Sequence, residues 1–274
     1  NTSYKLEKLG YGHMMSGPAI IMNGNSTVIV KPNCRAIITK YGNIKIEIDS
    51  PLTSVKISDK VADVVQLSIF NHRFMGIADQ MGRTLQRTSI STNIKERLDF
   101  FCALFDPSGG LVANASHVPV HLGAISSTVQ WQLNYWGDNL NEGDVLVTNH
   151  PSAGGSHLPD ITFITPVFFN GKLVFFVANR GHHAEIGGTT PGSMPPFSKS
   201  ISFKKRGSLN FLPSSDGRGN KIAGTRRIRD NLSDMRVQLA ANQRGISLVL
   251  ELIEQYGLET VQAYMNYVQV KAEA

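Results

Sequence analysis

The stretch Ile161-Thr-Phe-Ile-Thr-Pro-Val-Phe-Phe169, Asn170-Gly171, Lys172-Leu-Val-Phe-Phe-Val-Ala178 decides the fold class. Two apolar runs flank an Asn-Gly pair. That pair is the strongest short hairpin signal, because both residues tolerate the positive φ that a two-residue turn of the right twist requires. The segment predicts two long antiparallel strands. With a two-residue turn, opposed residue numbers sum to 341, so Asp160 faces Gly181 and His157 faces Ala184. Pro166 lacks the N–H that a ladder needs, and a bulge near it would shift this register by one.

Working outward, Phe100 to Phe105 and Leu111-Val112 flank the turn Asp106-Pro-Ser-Gly-Gly110 and read as a second hairpin, and Val145-Leu-Val147 starts another strand. Leu67, Phe70, Phe74, Ile77, Met81 and Leu85 recur at helical spacing after a Ser58-Asp59 cap, and Ile125, Val129 and Leu133 mark a second helix. Leu232, Met235, Leu239, Ile246, Val249, Leu250 and Ile253 mark a third, with Gly257 as a stop before a last helix over 258–271. Residues 17–57 alternate apolar and polar side chains around turn signals, which predicts a small antiparallel β unit. Residues 50–60 read as a linker, and 191–225, rich in Pro, Ser, Gly, Lys and Arg, as loop. The expected class is α+β: a small antiparallel β unit over 1–55, then hairpins and amphipathic helices over 56–274.

The 274 residues carry a net charge of +6, with the basic excess gathered in Lys199 to Arg229 among Gly, Ser and Asn. Nucleic-acid binding would need those cations interleaved with stacking aromatics, so a solvated loop is expected instead. Cys34 and Cys102 alone make no disulfide framework and no Cys-based zinc site, and a reducing, cytoplasmic setting is expected. No window is apolar over the ~20 residues that a membrane span needs, and no membrane association is expected. The chain begins at Asn1 and reads at once like the middle of a β-rich unit, so a fragment is expected.

The polar residues worth attention crowd the open end of the first hairpin. His157-Leu-Pro-Asp160 precedes one strand and His182-His183-Ala-Glu185 follows the other. Two imidazoles and a carboxylate at hairpin distance suit a first-row divalent metal. Adjacent strand residues point to opposite faces, so only one of His182 and His183 can join His157 and Asp160, and a single-residue bulge decides which. His117-Val-Pro-Val-His121 is a second pair; Pro119 argues against a helical metal pair, so loop histidines lining a cleft wall are expected. Cys102, among apolar neighbours, reads as a buried inert thiol.

Several long motifs in order carry a family resemblance. Asn93-Ile-Lys-Glu-Arg-Leu-Asp-Phe100, Cys102-Ala-Leu-Phe-Asp106, His117-Val-Pro-Val-His-Leu-Gly123, Gly154-Gly-Ser-His-Leu-Pro-Asp160 and Ala178-Asn-Arg-Gly-His-His-Ala-Glu-Ile-Gly-Gly188 resemble the hydantoinase B half of the hydantoinase/5-oxoprolinase family. So do Gly224-Thr-Arg226, Asp230-Asn-Leu-Ser-Asp234 and Ala240-Ala-Asn-Gln-Arg-Gly245. Residues 1–50 resemble the tail of the hydantoinase A half, an order similar to the family's fused members. The resemblance implies ATP-dependent opening of 5-oxo-L-proline to L-glutamate, with ATP held by an A-like half that is not in this stretch. A hydantoinase B or acetone carboxylase-like subunit, or a truncated non-catalytic product, is the alternative. The resemblance also implies a divalent metal (Mn, Zn or Mg) on His157, Asp160 and His183, with His182, Glu185 and His121 as proton-transfer groups. A small-molecule substrate, the A-like half in the same parent chain and self-association into a homo-oligomer are the expected partners. Between Ser200 and Gly224 the sequence departs from the family pattern and looks shortened, and the fragment alone is expected to be inactive.

Overall fold

The computed structural model describes residues 2–48, 63–188, 190–194, 214–215 and 221–273. Two compact units divide the chain at Ile57/Ser58. The expected linker and the Ser58-Asp59 cap lie outside the described residues, as does most of the expected 191–225 loop. Within that stretch, two short strands, Ser214–Ser215 and Lys221–Ile222, pair with each other.

The first unit is made of β1 (Thr2–Lys5), β2 (Met14–Ser16), β3 (Ala19–Asn23), β4 (Ser26–Val30), β5 (Cys34–Ile38) and β6 (Ile44–Ile48). They form two three-stranded sheets, β1-β3-β4 and β2-β5-β6. Met15, Ala19, Ile21, Val30, Ala36 and Ile38 are the buried residues of its core, the inward members of the expected alternation. One pairing differs from the expected all-antiparallel unit: β1 runs parallel to β3.

The second unit is built around a five-stranded antiparallel sheet in the order β8-β7-β11-β10-β9. Its strands are β7 (Phe100–Phe105), β8 (Leu111–Asn114), β9 (Leu146–Thr148), β10 (Asp160–Phe169) and β11 (Lys172–His182). The short pair just described is β12 and β13. The helices are α1 (Val64–Thr88), α2 (Thr92–Lys95), α3 (His121–Trp136), α4 (Ile228–Tyr256) and α5 (Leu258–Glu273). The N-cap of α1 is Asp63, whose side chain accepts the Gln66 N–H. Gly257, with φ of +83°, separates α4 from α5.

Helices cover both faces of the sheet. Ile125 and Val129 of α3 pack on Phe101, Ala103, Phe105, Ile164, Phe176 and Ala178. The opposite face meets α1, α4 and α5, where Phe70 of α1 stacks on Tyr264 of α5 and Ile161 and Phe163 pack with Met235. With both faces covered, the strands read as continuous apolar runs, and every β7 residue is buried.

Asn170 and Gly171 form the expected turn, with φ of +52° and +74°. Phe169 opposes Lys172 and Phe168 opposes Leu173, the register that a two-residue turn sets. Between Val167 and Phe168 it slips by one, leaving Val174 as the extra residue, so Val167 opposes Phe175 and Asp160 opposes His182. The arithmetic that set Asp160 against Gly181 is corrected by that single bulge.

Candidate functional site

Beyond the bulge, Asp160, Thr162 and Ile164 of β10 share a face with His182, Arg180 and Ala178 of β11, since side chains two apart lie on one side of a sheet. This is the α3 face. Ile161, Phe163 and Thr165, with Asn179 and Gly181, take the other.

At the strand ends, the Asp160 carboxylate is fully buried between two histidines. His182 Nδ1 lies 2.7 Å from Oδ1. Oδ2 accepts the backbone N–H of His157 at 2.8 Å and sits 3.5 Å from His157 Nδ1. Among the described residues, donor atoms of His157, Asp160 and His182 all lie within 4.8 Å of one another. The His157 side chain is 49% exposed and that of His182 12%, so the group opens to solvent on the His157 side.

The charges are mutually supporting. Burial pushes the Asp160 carboxyl up, but the His182 hydrogen bond and the His157 N–H outweigh it and hold it below the ordinary carboxylate value. Burial likewise disfavours the His182 imidazolium, yet the bond and charge of Asp160, with Asp99 behind it, hold its pKa above the usual imidazole value.

His183, expected as the ligand, lies elsewhere. Its backbone N–H donates to Pro159 O, and its ring is fully buried toward α4. Nε2 meets Gln238 Oε1 at 2.9 Å and Nδ1 meets Asn231 Nδ2 at 3.1 Å. An amide oxygen takes a proton and an amide NH₂ gives one, so the ring is the neutral Nε2–H tautomer with both nitrogens engaged. Burial holds its pKa below the ordinary value, against the opposing pull of the Gln238 bond and the Asp234 charge. The structure therefore brings His182, and not His183, to His157 and Asp160, because the bulge swaps the faces of the two.

His121 is not a loop residue: it opens α3 and is buried, with Nε2 2.9 Å from Asp99 Oδ1 and Nδ1 without a partner. Asp99 also accepts the His182 N–H on its backbone oxygen at 2.9 Å, so one residue touches both histidines. His117 packs against Phe100, the ring centroids 4.5 Å apart and the planes tilted by 56°. Glu185 is bound at both oxygens, 2.9 Å each, by Arg226 Nη1. It lines a separate cavity of about 410 Å³ with Ser91, Arg227, Asp230 and Asp234. Cys102 is buried, and its thiol is pushed far up by burial, with the Asp79 charge adding to the effect.

Sequence reasoning missed Asp99, Arg180 and the α4 amides Asn231, Gln238 and Asn242. The available signal was polar residues in an apolar strand, Asn179-Arg180, and amides at helical spacing on α4, 231, 238 and 242. Asn179 is buried against the α4 amides: its Nδ2 donates to Gln238 O and Asn242 Oδ1, both at 2.7 Å, and Gln238 Nε2 donates to Ile161 O at 2.8 Å.

Comparisons with known proteins bear on this geometry. The family model described as Hydantoinase B/oxoprolinase matches residues 63–274. Over 98% of its length the chain is 73% identical to "5-oxoprolinase 1" of Arabidopsis thaliana and 51% identical to "5-oxoprolinase" of Dictyostelium discoideum. It spans only 23% and 22% of those proteins. Among solved structures, an ATP-dependent caprolactamase from Pseudomonas jessenii superposes with a TM-score of 0.58 at 25% identity, over 76% of this chain and 37% of that one. Among the described residues, no helix is long and apolar enough to cross a membrane.

Proposed function

This chain belongs to the hydantoinase B/oxoprolinase family, and on that premise we propose that it is part of a longer ATP-dependent enzyme opening 5-oxo-L-proline to L-glutamate, with the amide-hydrolysis site on this part. The observation that carries the reading is the convergence of His157, Asp160 and His182 at the solvent-facing end of the hairpin.

Two imidazoles and one carboxylate fit a divalent first-row ion, with Mn, Zn or Mg as candidates. Such an ion, when bound, supplies a Lewis acid and lowers the pKa of water at the site. The chain's own residues do the rest. Asp160 and His182 are set by the strand ladder, and His157 is set by its N–H bond to Asp160. Asp99 holds the ring of His121 through Nε2, and His121 is kept as a proton-transfer group of this reading. Glu185 is held by Arg226 and shapes the neighbouring cavity.

The remaining assignments belong to the same reading. Residues 1–55 are the tail of an A-like half in the same parent chain, which binds ATP; 56–274 are the beginning of the B-like domain. Support comes from the family model starting at residue 63 while the oxoprolinase relatives align over 98% of the chain, β unit included. The free thiols of Cys34 and Cys102 suit a cytoplasmic setting.

The test uses the full-length protein: divalent metal content and ATP-dependent glutamate release from 5-oxoproline, with His157→Ala and Asp160→Asn variants beside the parent. Loss of metal and of glutamate release with ATP binding intact is expected. Normal turnover by His157→Ala overturns the site, and opening of a hydantoin but not of 5-oxoproline moves the chain to the hydantoinase branch.

A further inference from the structure

Arg180 heads the largest fully buried side chains of the described residues; its side-chain bonds all go to neutral groups, with the charge of Asp160 acting from farther away. A desolvated cation of this kind is costly unless its donors are satisfied. Here they reach three elements. Nε donates to Thr162 Oγ1 on β10 and Nη2 to Thr128 Oγ1 on α3, both at 2.7 Å. Nη2 and Nη1 then reach Gly154 O and Ser156 Oγ, both at 3.4 Å. Two short bonds anchor the fork on rigid elements, and two longer ones touch the turn that leads directly into His157.

That turn is built for close approach. Gly154 has φ of +82°, and a Cβ on it would lie 2.5 Å from the Thr128 backbone nitrogen. The three donor residues of the candidate metal group are therefore not equally fixed. Asp160 and His182 oppose each other across the ladder, whereas His157 sits on a loop with a half-exposed ring. Beyond its backbone N–H bond to Asp160 Oδ2 at 2.8 Å, the placement of His157 depends on how its turn is held.

We infer that Arg180 is a positioning residue for His157, its guanidinium tying the Gly154 to Ser156 turn to β10 and α3 so that the loop donor stays over the two strand donors. The inference rests on the metal reading above for its consequence, though not for the loop restraint itself. Lysine cannot replace arginine here, because one ammonium on a flexible stem does not span three directions as a planar fork does.

The experiment compares the full-length parent with Arg180→Lys, His157→Ala and the double variant. Mn2+ affinity is measured by calorimetry after chelator treatment, and amide exchange is followed over 150–158 and over β10–β11. Arg180→Lys is expected to weaken Mn2+ binding by about 10- to 100-fold, the range for residues that orient metal ligands, and to speed exchange in 150–158 while β10–β11 stay protected. In the His157→Ala background the same substitution is expected to cost nothing further, since its effect acts through His157. An equal penalty in both backgrounds, or unchanged exchange in 150–158, overturns the inference. If the parent binds Mn2+ no better than His157→Ala, the metal reading fails while the exchange comparison still decides the loop restraint. Thr128→Val, which removes one anchor of the fork on a helix, serves if Arg180→Lys does not fold, and a smaller change in the same direction is expected; no change in 150–158 there overturns the inference as well.

Discussion

His182 and His183 are neighbours in the chain, yet they belong to opposite faces of one hairpin and to different chemistries. On the α3 face, His182 engages Asp160 through Nδ1 and shares its face with Arg180 and Thr162. On the α4 face, His183 has both ring nitrogens committed to Gln238 and Asn231, inside a buried amide ladder that continues through Asn179 to Asn242. A side chain can take a ligand or a proton only if it has hydrogen-bonding capacity left. His182 keeps that capacity, and His183 has spent it on holding α4 to the sheet.

The largest expected effect breaks this contrast if it fails. His182→Ala in the full-length protein should weaken divalent-ion binding by more than the ~10- to 100-fold typical of an orienting neighbour, with glutamate release lost in parallel. His183→Ala should keep ion binding within about tenfold of the parent. Calorimetric titration of both variants with Mn2+ decides it, and the reverse order would exchange the roles assigned to the two histidines.

Stability should rank the other way. His183→Ala leaves Gln238 Oε1 and Asn231 Nδ2 without their ring partner, and Gln238→Leu strips partners from His183, Asn179 and Ile161 together. Each unpaired buried group costs about 1–3 kcal/mol, so denaturant unfolding should show a loss of at least ~2 kcal/mol for either variant. A larger loss for His182→Ala than for His183→Ala would contradict the division into a working face and a holding face.

The smallest effect concerns a carboxylate that only holds structure. Asp106, in the β7–β8 turn, accepts from Ser108 N, Ser108 Oγ, Gly110 N and Gln269 Nε2 of α5. Burial pushes its carboxyl up, but these bonds outweigh burial and hold it below the ordinary carboxylate value. A depressed folded value means the stabilisation is complete above the unfolded pKa and fades as pH falls through the folded one. Asp106→Asn should therefore cost about 1 kcal/mol at pH 7, and the gap to the parent should shrink on acidification below about pH 4. A gap of equal size at pH 7 and pH 2 would show that the charge is not the stabilising feature.

How much of this was legible in the chain depends on range. The turn followed from Asn170-Gly171, because positive φ at two successive positions is a local requirement that few residue pairs meet. The helices followed from apolar spacing, and the end of α4 from Gly257, for the same local reason. The amide ladder was not legible, because Asn179 meets Asn242 across 63 residues of sequence and neither residue announces its partner. The Asp63 cap of α1 was not singled out, since an aspartate is a competent cap wherever it stands and the choice of position is not local.

The sequence by itself determined that a histidine, an aspartate and one of two adjacent histidines would meet at the end of one hairpin. Which histidine was left to the tertiary structure. Both strands are buried on both faces, since helices cover the sheet on each side, so no alternation of buried and exposed side chains pins the register. The register slips by one at Val167/Phe168, and a slip of one residue turns every side chain beyond it to the other face. That slip carries His182 to Asp160 and His183 to Gln238.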